Sequence, residues 1–538
     1  HDNAIVAWLK RTYEPALRWA MEAPVKVMAI GVASFLFAVL LYLNLGQEFI
    51  PKLDEKNLAM QANRIPSTSL TQSQAMQIDV ENAIRKLPQV DYVFSKTGTA
   101  EVATDPMPPN LTDTFIMLKP EDQWPDPHLP KDTLIDDISA EISKIPGNAY
   151  EFSQPIQLRF NELLAGVRGD IAVKVFGEDF DAMLKAANQI AAILRATPGA
   201  TDVKVEQVTG LPVLDIKVDK SAIARYGLSL GAVQDTIGAA IGGEQAGMIF
   251  EGDRRFPIFV RLRDNLREDA NALETIPVSL PPDAQGHIST IQLKQVASFS
   301  TVDGQNQISR ENGKRRVVVS ANVRGRDIAS VVNEARAKVD AKVQIPAGYW
   351  IEWGGQFENL AAARARLMVV VPVCFFMIFL LLFSALGSAR DALLVFSAVP
   401  LALSGGVLAL WLRGMPMSVS AAVGFIALSG VAVLNGLVMR TYIHQLMVSG
   451  MDERAAIFKG AMTRLRPVTM TALVASLGFV PMALATSTGA EVQRPIATVV
   501  IGGLISATVL TLIVLPALYA FFGENKASLA AAREREAV

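Results

Sequence analysis

Runs of roughly twenty apolar residues constrain what this chain can fold into more than any other feature, because a helix crosses the hydrocarbon of a bilayer with about 20 of them. Such runs stand at 27–45, 367–386, 392–412, 419–439, 468–485 and 496–521. A long polar stretch, 46–366, separates the first from the second and holds no candidate span. The plan is therefore one span, a large extramembrane domain, then five spans. Hydrophobic residues make up 51% of the chain and its mean hydropathy is +0.30, more apolar than a typical soluble protein. A soluble protein with unusually apolar core helices is the competing reading.

Loop charge argues against that reading and sets the orientation. Lys10, Arg11, Arg18 and Lys26 precede the first span, and Arg440, Arg454, Lys459, Arg464 and Arg466 lie between the fourth and the fifth. Six spans put both basic segments on the same side, which the positive-inside rule makes cytoplasmic. Segments 1–26 and 522–538 are thus expected in the cytoplasm, and 46–366 in the periplasm of a bacterial inner membrane. With 50 basic and 52 acidic residues, the net charge offers nothing to nucleic acid. The single cysteine, Cys374, sits in an apolar run, which excludes disulfides and thiolate metal sites as architecture. The chain opens at His1 with no leader before the first span, and is read as part of a longer protein.

Within 46–366 short β patterns alternate with amphipathic helices. "NLAMQANRI", "VDYVFSKTG", "DTFIMLKP" and "NAYEFSQPI" read as strands; "LTQSQAMQIDVENAIRKL", capped by Ser69 or Thr71, and "KDTLIDDISAEISKI" read as helices. That β-α-β-β-α-β order over 55–160 is the ferredoxin-like unit. A second unit begins at "DIAVKVFG", covers 170–209, and resumes over 301–360 with "RRVVVSANVRG", "DIASVVNEARAKVDAKV" and "YWIEWGG". Segment 210–300 is an inserted module with strands of its own. The expected fold is a six-helix membrane bundle plus a large α+β domain with two ferredoxin-like modules.

The layout, together with "FIPKLDEKNLAMQANRIPSTSLTQSQAM", "SKTGTAEVATDPMPPN", "NQISRENGKRRVVVSANVRGRDI", "WGGQFENL" and "RLRPVTMTALVASLGFVPMA", resembles half of a resistance-nodulation-division (RND) efflux pump. The heavy-metal branch, with its cobalt-zinc-cadmium and nickel-cobalt subunits, is the most similar. The resemblance runs over essentially the whole chain and falls on the C-terminal half of the family's two-half plan. It implies an AcrB-like fold and a proton/cation antiporter, a secondary active transporter and not an enzyme. It implies no cofactor, with divalent metal ions as transported substrate. The implied partners are the missing N-terminal half, a homotrimer, a periplasmic adaptor protein, an outer-membrane channel and membrane lipid, with 210–300 as a docking module.

A proton-driven pump needs a titratable group within the membrane. No Asp, Glu, Lys or Arg stands at the centre of a run; the polar residues there are Asn435, Thr469, Thr471 and serines. Asn435 and Thr471 read either as ordinary interhelical hydrogen-bonding groups or as support for a relay whose carboxylates, by the resemblance, lie in a fourth span absent from this sequence. Arg464 reads as a relay arginine or a positive-inside anchor.

For cargo, the resemblance places Gln61, Leu111 and Glu162 where copper and silver members carry a three-methionine soft site. None of the three is a thioether, and carboxylates suit harder divalent ions. Asp105 and Asp113 are similar in spacing to the carboxylates of zinc-transporting members. Met60 and Met117 read as core, Met107 as available, and His128 and His287 as isolated loop residues. In "RFNELLAGVRGD", Gly166 and Gly169 predict a flexible connector between the modules. Glu162 is expected to point into the cleft, with Arg159 and Arg168 balancing acids or pairing with Glu151 or Asp170. Glu55 begins the same path near the membrane. The metal set is thus Glu162, Asp105 and Asp113. Two other functions stand beside metal export. An exporter of organic molecules needs an aromatic-rich pocket, and aromatics are only 7% of the chain. A non-transporting truncated remnant is the other, which the DNA upstream of His1 would identify by a stop codon.

Overall fold

The computed structural model describes residues 4–99, 105–165, 167 and 169–523. The chain begins with helix α1 (Ala4–Glu22) and passes at Pro24 into the first membrane-length helix, α2 (Pro24–Asn44). The segment before the first span is thus helical. Tyr13, Leu17 and Met21 of α1 bury against the bundle beside Met439, Ile443 and Leu465, while Trp8 and Trp19 stay exposed.

The first α+β module runs β1 (Leu58–Asn63), α3 (Leu70–Ile84), β2 (Val90–Thr97), β3 (Leu111–Leu118), α4 (Lys131–Ile142), β4 (Ala149–Ser153). Its antiparallel sheet has the order β2-β3-β1-β4. Ser69 starts α3, its hydroxyl accepting from the Gln72 amide. Leu58 and Met60 point to the face covered by Val80, Ile84, Leu134, Ile138 and Ile142. Period-2 alternation then turns Gln61 to the opposite face. Helix α5 (Pro155–Ala165) follows and leads to the second module.

The second module opens with β5 (Ile171–Phe176), α6 (Phe180–Arg195) and β6 (Ala200–Val205). An insertion intervenes: β7 (Thr209–Val218), α7 (Lys220–Arg225), α8 (Leu230–Ile241), a hairpin of β8 (Glu244–Glu251) and β9 (Arg254–Val260), α9 (Asp264–Arg267), α10 (Ala270–Glu274), β10 (Pro277–Ser279), β11 (Thr290–Gln292) and β12 (Ala297–Gln305). β7 and β12 pair antiparallel, so the insertion leaves and returns as one ribbon. β13 (Arg310–Glu311), β14 (Lys314–Val323), α11 (Ile328–Lys342) and β15 (Trp350–Gly355) complete the module. β14 lies between β5 and β6, and β15 pairs with the other edge of β5. The strand order is that of the first module. Helix α6 buries Met183, Ala187, Ile190 and Leu194, a 3.6-residue stripe, against Val173, Val175, Val317 and Val319.

The remaining helices are α12 (Gln356–Leu386), α13 (Ala389–Phe396), α14 (Ala398–Leu412), α15 (Val419–Val448), α16 (Glu453–Leu484) and α17 (Ala490–Phe522). With α2, and with α13 and α14 forming one span, they give six membrane-length spans among the described residues. Several helices outrun the apolar runs: α12 starts at Gln356, well before residue 367. Run counting sees the hydrocarbon-facing part and misses the polar turns that continue the helix above it. α17 packs against α14, α15 and α16. Glycines allow the closest of these approaches: a Cβ on Gly405 would lie 2.5 Å from the Gly502 carbonyl oxygen.

The domain is fastened to the bundle through 46–57. The Glu48 amide donates to the Met417 carbonyl at 3.0 Å. The Gln47 amide donates to Asp327 Oδ2 at 3.1 Å, and the same carboxylate caps α11 at the Ser330 amide. Burial pushes the Glu48 carboxyl up, with Lys52 opposing and Asp327 and Asp170 reinforcing.

Candidate functional site

The site begins with a polar row across the first sheet. The registers place Lys96 opposite Asp113, Asp113 opposite Gln61, and Gln61 opposite Glu151. Facing residues on neighbouring strands share a face, here the one turned away from α3 and α4. Gln61, Asp113 and Glu151 are nonetheless buried, because the second module covers them. Lys204 of β6 reaches across, donating to Gln61 Oε1 at 2.8 Å and pairing with Glu151. Gln61 Nε2 in turn donates to Asp113 Oδ1 at 3.0 Å.

Beside this row a cleft of about 280 Å³ opens between the modules. Gln61, Leu111, Asp105 and Glu162 line it from one side, with Glu206 and Arg316 on the other. The three positions that the resemblance singled out, Gln61, Leu111 and Glu162, thus meet in one cavity. Met107 lines it too; a single thioether among oxygen donors is not a soft three-sulfur site. Glu206 is already engaged by Gln307, Ser309 and the Val318 amide.

Helix α5 carries Arg159 and Glu162, and Glu55 sets its start. The two Glu55 oxygens accept from the Ile156 and Gln157 amides at 2.6 and 2.7 Å, an anion at a helix N-terminus. Glu55 therefore orients the helix that presents Glu162. The segment expected to be a flexible connector is helical through Ala165. Beyond it, Gly169 packs so closely on β14 that a Cβ would sit 3.0 Å from the Ala321 carbonyl oxygen. Asp170 is buried and held by Lys52 at 2.7 Å and the Val323 amide at 3.0 Å. The glycine at 169 serves close approach, where the sequence suggested freedom. Gly166 and Arg168 lie outside the described residues. Arg159 pairs with Glu162 at 3.0 Å and Asp105 at 3.7 Å, and not with Glu151 or Asp170. Lys96 pairs with Asp105 at 2.7 Å and approaches Asp113 at 3.8 Å. Among the described residues no group of three or more His, Cys, Asp and Glu side chains is gathered into a metal-binding cluster.

In the bundle the expected relay residues are apart in kind. Asn435 is buried on α15. The Thr471 hydroxyl is exposed and donates to the Pro467 carbonyl of its own helix at 2.8 Å. Arg464 stacks over the Tyr442 ring at 4.5 Å. An ion pair missed in the sequence lies at the end of the bundle away from the α+β domain: Arg440 of α15 meets Asp391 of α13 at 3.0 Å, both buried. Each stands near the end of an apolar run and reads, alone, as a boundary charge. A second cavity, about 560 Å³, opens between α2, α12 and α15 and is lined by Phe35, Val371 and Phe375 with Glu48 and Arg364.

Six membrane-length helices bearing two ferredoxin-like modules with a polar cleft between them make the AcrB-like architecture of an RND transporter. The chain matches the AcrB/AcrD/AcrF family over residues 1–523 and belongs to that family. It is 54% identical over 519 residues to the cation efflux system protein CzcA of an Alcaligenes species, covering 96% of this chain and 49% of the relative. It is 52% identical over 514 residues to the nickel and cobalt resistance protein CnrA of Cupriavidus metallidurans, covering 96% and 48%. A crystal structure of a heavy metal efflux pump superposes with a TM-score of 0.86 at 38% identity, covering 96% of this chain and 52% of that one. The chain spans about half the length of the curated relatives it matches.

Proposed function

We propose that this chain is the C-terminal half of a proton-driven exporter of divalent heavy-metal cations, of the cobalt, zinc, cadmium and nickel class. It works as a proton/cation antiporter in the bacterial inner membrane, with the α+β domain in the periplasm. The complete pump is a homotrimer joined to a periplasmic adaptor and an outer-membrane channel, the 210–300 insertion providing docking surface. The observation that carries this reading is the convergence of Gln61, Leu111 and Glu162 on one cleft with Asp105 at its rim. The oxygen-rich lining favours a divalent ion over soft monovalent copper. Glu162, Asp105 and Asp113 are the proposed metal path, Arg159 and Arg168 its counter-charges, and Glu55 the residue that aims α5. Asn435, Thr471 and Arg464 support a proton relay whose acids belong to the other half. Thr471 is exposed together with Met470, Val474 and Leu477, and we assign that face to contact with the other half.

The test is metal resistance in a sensitive strain supplied with both halves. Glu162→Gln keeps size and removes charge, and should lower zinc or cobalt resistance strongly with trimer assembly intact. Glu162→Met should not restore it, and Asp105→Asn and Asp113→Asn should have smaller effects because water can replace one oxygen ligand. Normal resistance in all three charge-removing variants would refute the carboxylate path. The chain expressed without its other half should confer no resistance.

A further inference from the structure

Among the described residues, Asp113 in the polar row and Asp105 and Glu162 in the cleft are linked through two cations that stand between them. Read in order, Asp113 faces Lys96 at 3.8 Å, Lys96 binds Asp105 at 2.7 Å, Asp105 faces Arg159 at 3.7 Å, and Arg159 binds Glu162 at 3.0 Å. A single oxygen, Asp105 Oδ2, takes both cations. The burial is asymmetric. The acid side chains are 4%, 14% and 27% exposed for Asp113, Asp105 and Glu162, whereas Lys96 and Arg159 are 49% and 47% exposed. The carboxylates are the fixed and sheltered partners: Asp113 in a strand and bonded to Gln61, Glu162 on a helix whose start is clamped by Glu55. The cations sit on long flexible stems with open water beside them.

We propose that Lys96 and Arg159 are tethered surrogate cations that occupy these carboxylates and are displaced by the cargo ion. The inference rests on the reading of Glu162, Asp105 and Asp113 as the metal path. A divalent ion entering the cleft takes carboxylate oxygens that the two side chains now occupy, and both swing out into solvent with their charges. One doubly charged ion replaces two singly charged groups, so the charge held at the acids is conserved through the exchange. The reverse step supplies release: the tethered cations are always at hand to retake the oxygens, which keeps affinity low enough for a carrier. The device also discriminates, since a monovalent ion replaces only one of the two tethered charges. No bond is made or broken other than coordination and ion pairing.

The experiment uses the chain purified together with its other half in detergent micelles, with zinc chloride titrated by calorimetry at fixed ionic strength. Lys96→Gln and Arg159→Gln each remove a competitor and should tighten zinc binding by roughly twofold to fivefold, as expected for half-exposed ion pairs, with a larger gain in the double variant. Lys96→Arg and Arg159→Lys keep the charge and should bind as the unsubstituted chain does. Zinc should also raise the rate at which an amine-directed reagent labels Lys96, because the ammonium leaves its two carboxylates. A purely structural role would move neither the affinity upward nor the labelling. If zinc binds and Glu162→Gln weakens it, while Lys96→Gln and Arg159→Gln leave affinity unchanged or lower, the surrogate-cation inference falls and the metal path stands. If no zinc binds, or Glu162→Gln binds zinc as tightly as the unsubstituted chain, the metal path falls and the inference with it.

Discussion

Replacing Asp391 by Asn isolates one interaction whose cost can be worked from geometry. Arg440 Nη2 lies 3.0 Å from Asp391 Oδ1, and the two side chains are 3% and 10% exposed. The guanidinium also lies over the Tyr519 ring at 5.1 Å, so the site ties α13, α15 and α17 together. Removing one partner of a buried ion pair leaves an uncompensated charge and costs about 3–5 kcal/mol. The Asn oxygen can still accept one hydrogen bond, and the Tyr519 face retains about 0.5–2 kcal/mol of attraction. The expected loss is therefore near the lower end, about 3 kcal/mol. The companion variant, Asp391→Leu with Arg440→Met, removes both charges and fills the space, and should cost much less than the single change. The assay is the midpoint and slope of denaturant-induced unfolding of the purified chain in micelles, followed by tryptophan fluorescence. A loss below about 1 kcal/mol for Asp391→Asn, the range of exposed pairs, would show that the guanidinium reaches water and that burial is not what makes this pair matter.

Gly405→Ala should destabilise the bundle by about 1–3 kcal/mol, because the added carbon would stand 2.5 Å from a backbone oxygen of α17 and 2.4 Å from Ser506 Cβ; an unchanged thermal midpoint would mean that α14 and α17 are not packed this closely. Asp54 predicts an acid dependence: burial pushes its carboxyl up, but hydrogen bonds from Lys131 and the Lys56 amide outweigh that and hold it at about 2, against an ordinary 3.8. The folded value lies below the unfolded one, so this stabilisation is complete above the ordinary value and disappears as pH falls through about 2. Asp54→Asn should therefore flatten the loss of stability in that acid window, and an unaltered pH profile would refute the assignment. Reporter fusions at Asp126 and Pro282 should read periplasmic and one at Ser449 cytoplasmic; a cytoplasmic signal at Asp126 would invert the proposed orientation.

Much of this architecture is local and could be read from the chain itself. A span is a run of apolar residues, a strand an alternation, a helix a 3.6-residue stripe with a cap such as Ser69, and each is encoded within a few turns of backbone. The β-α-β-β-α-β order of both modules follows from those signals in sequence. The carboxylates and amide that line the cleft, Glu162, Asp105 and Gln61, are legible as oxygen donors in the sequence, but not their convergence on one cavity. Pairing across distance was not legible. Nothing near Lys96 announces that strand register sets it opposite Asp113, or that a helix dozens of residues later brings Arg159 to the same Asp105 oxygen. Arg440 reads in the sequence as a loop charge between two spans, and only helix crossing buries it against Asp391. Gly169 illustrates the same limit: a glycine in sequence suggests freedom, and only the nearness of Ala321 shows that its missing side chain serves contact. The sequence by itself determined the elements and their chemistry, because propensity and periodicity act between neighbours. Tertiary structure decided which charges meet, because electrostatic partnership depends on separation in space and on the water excluded around it.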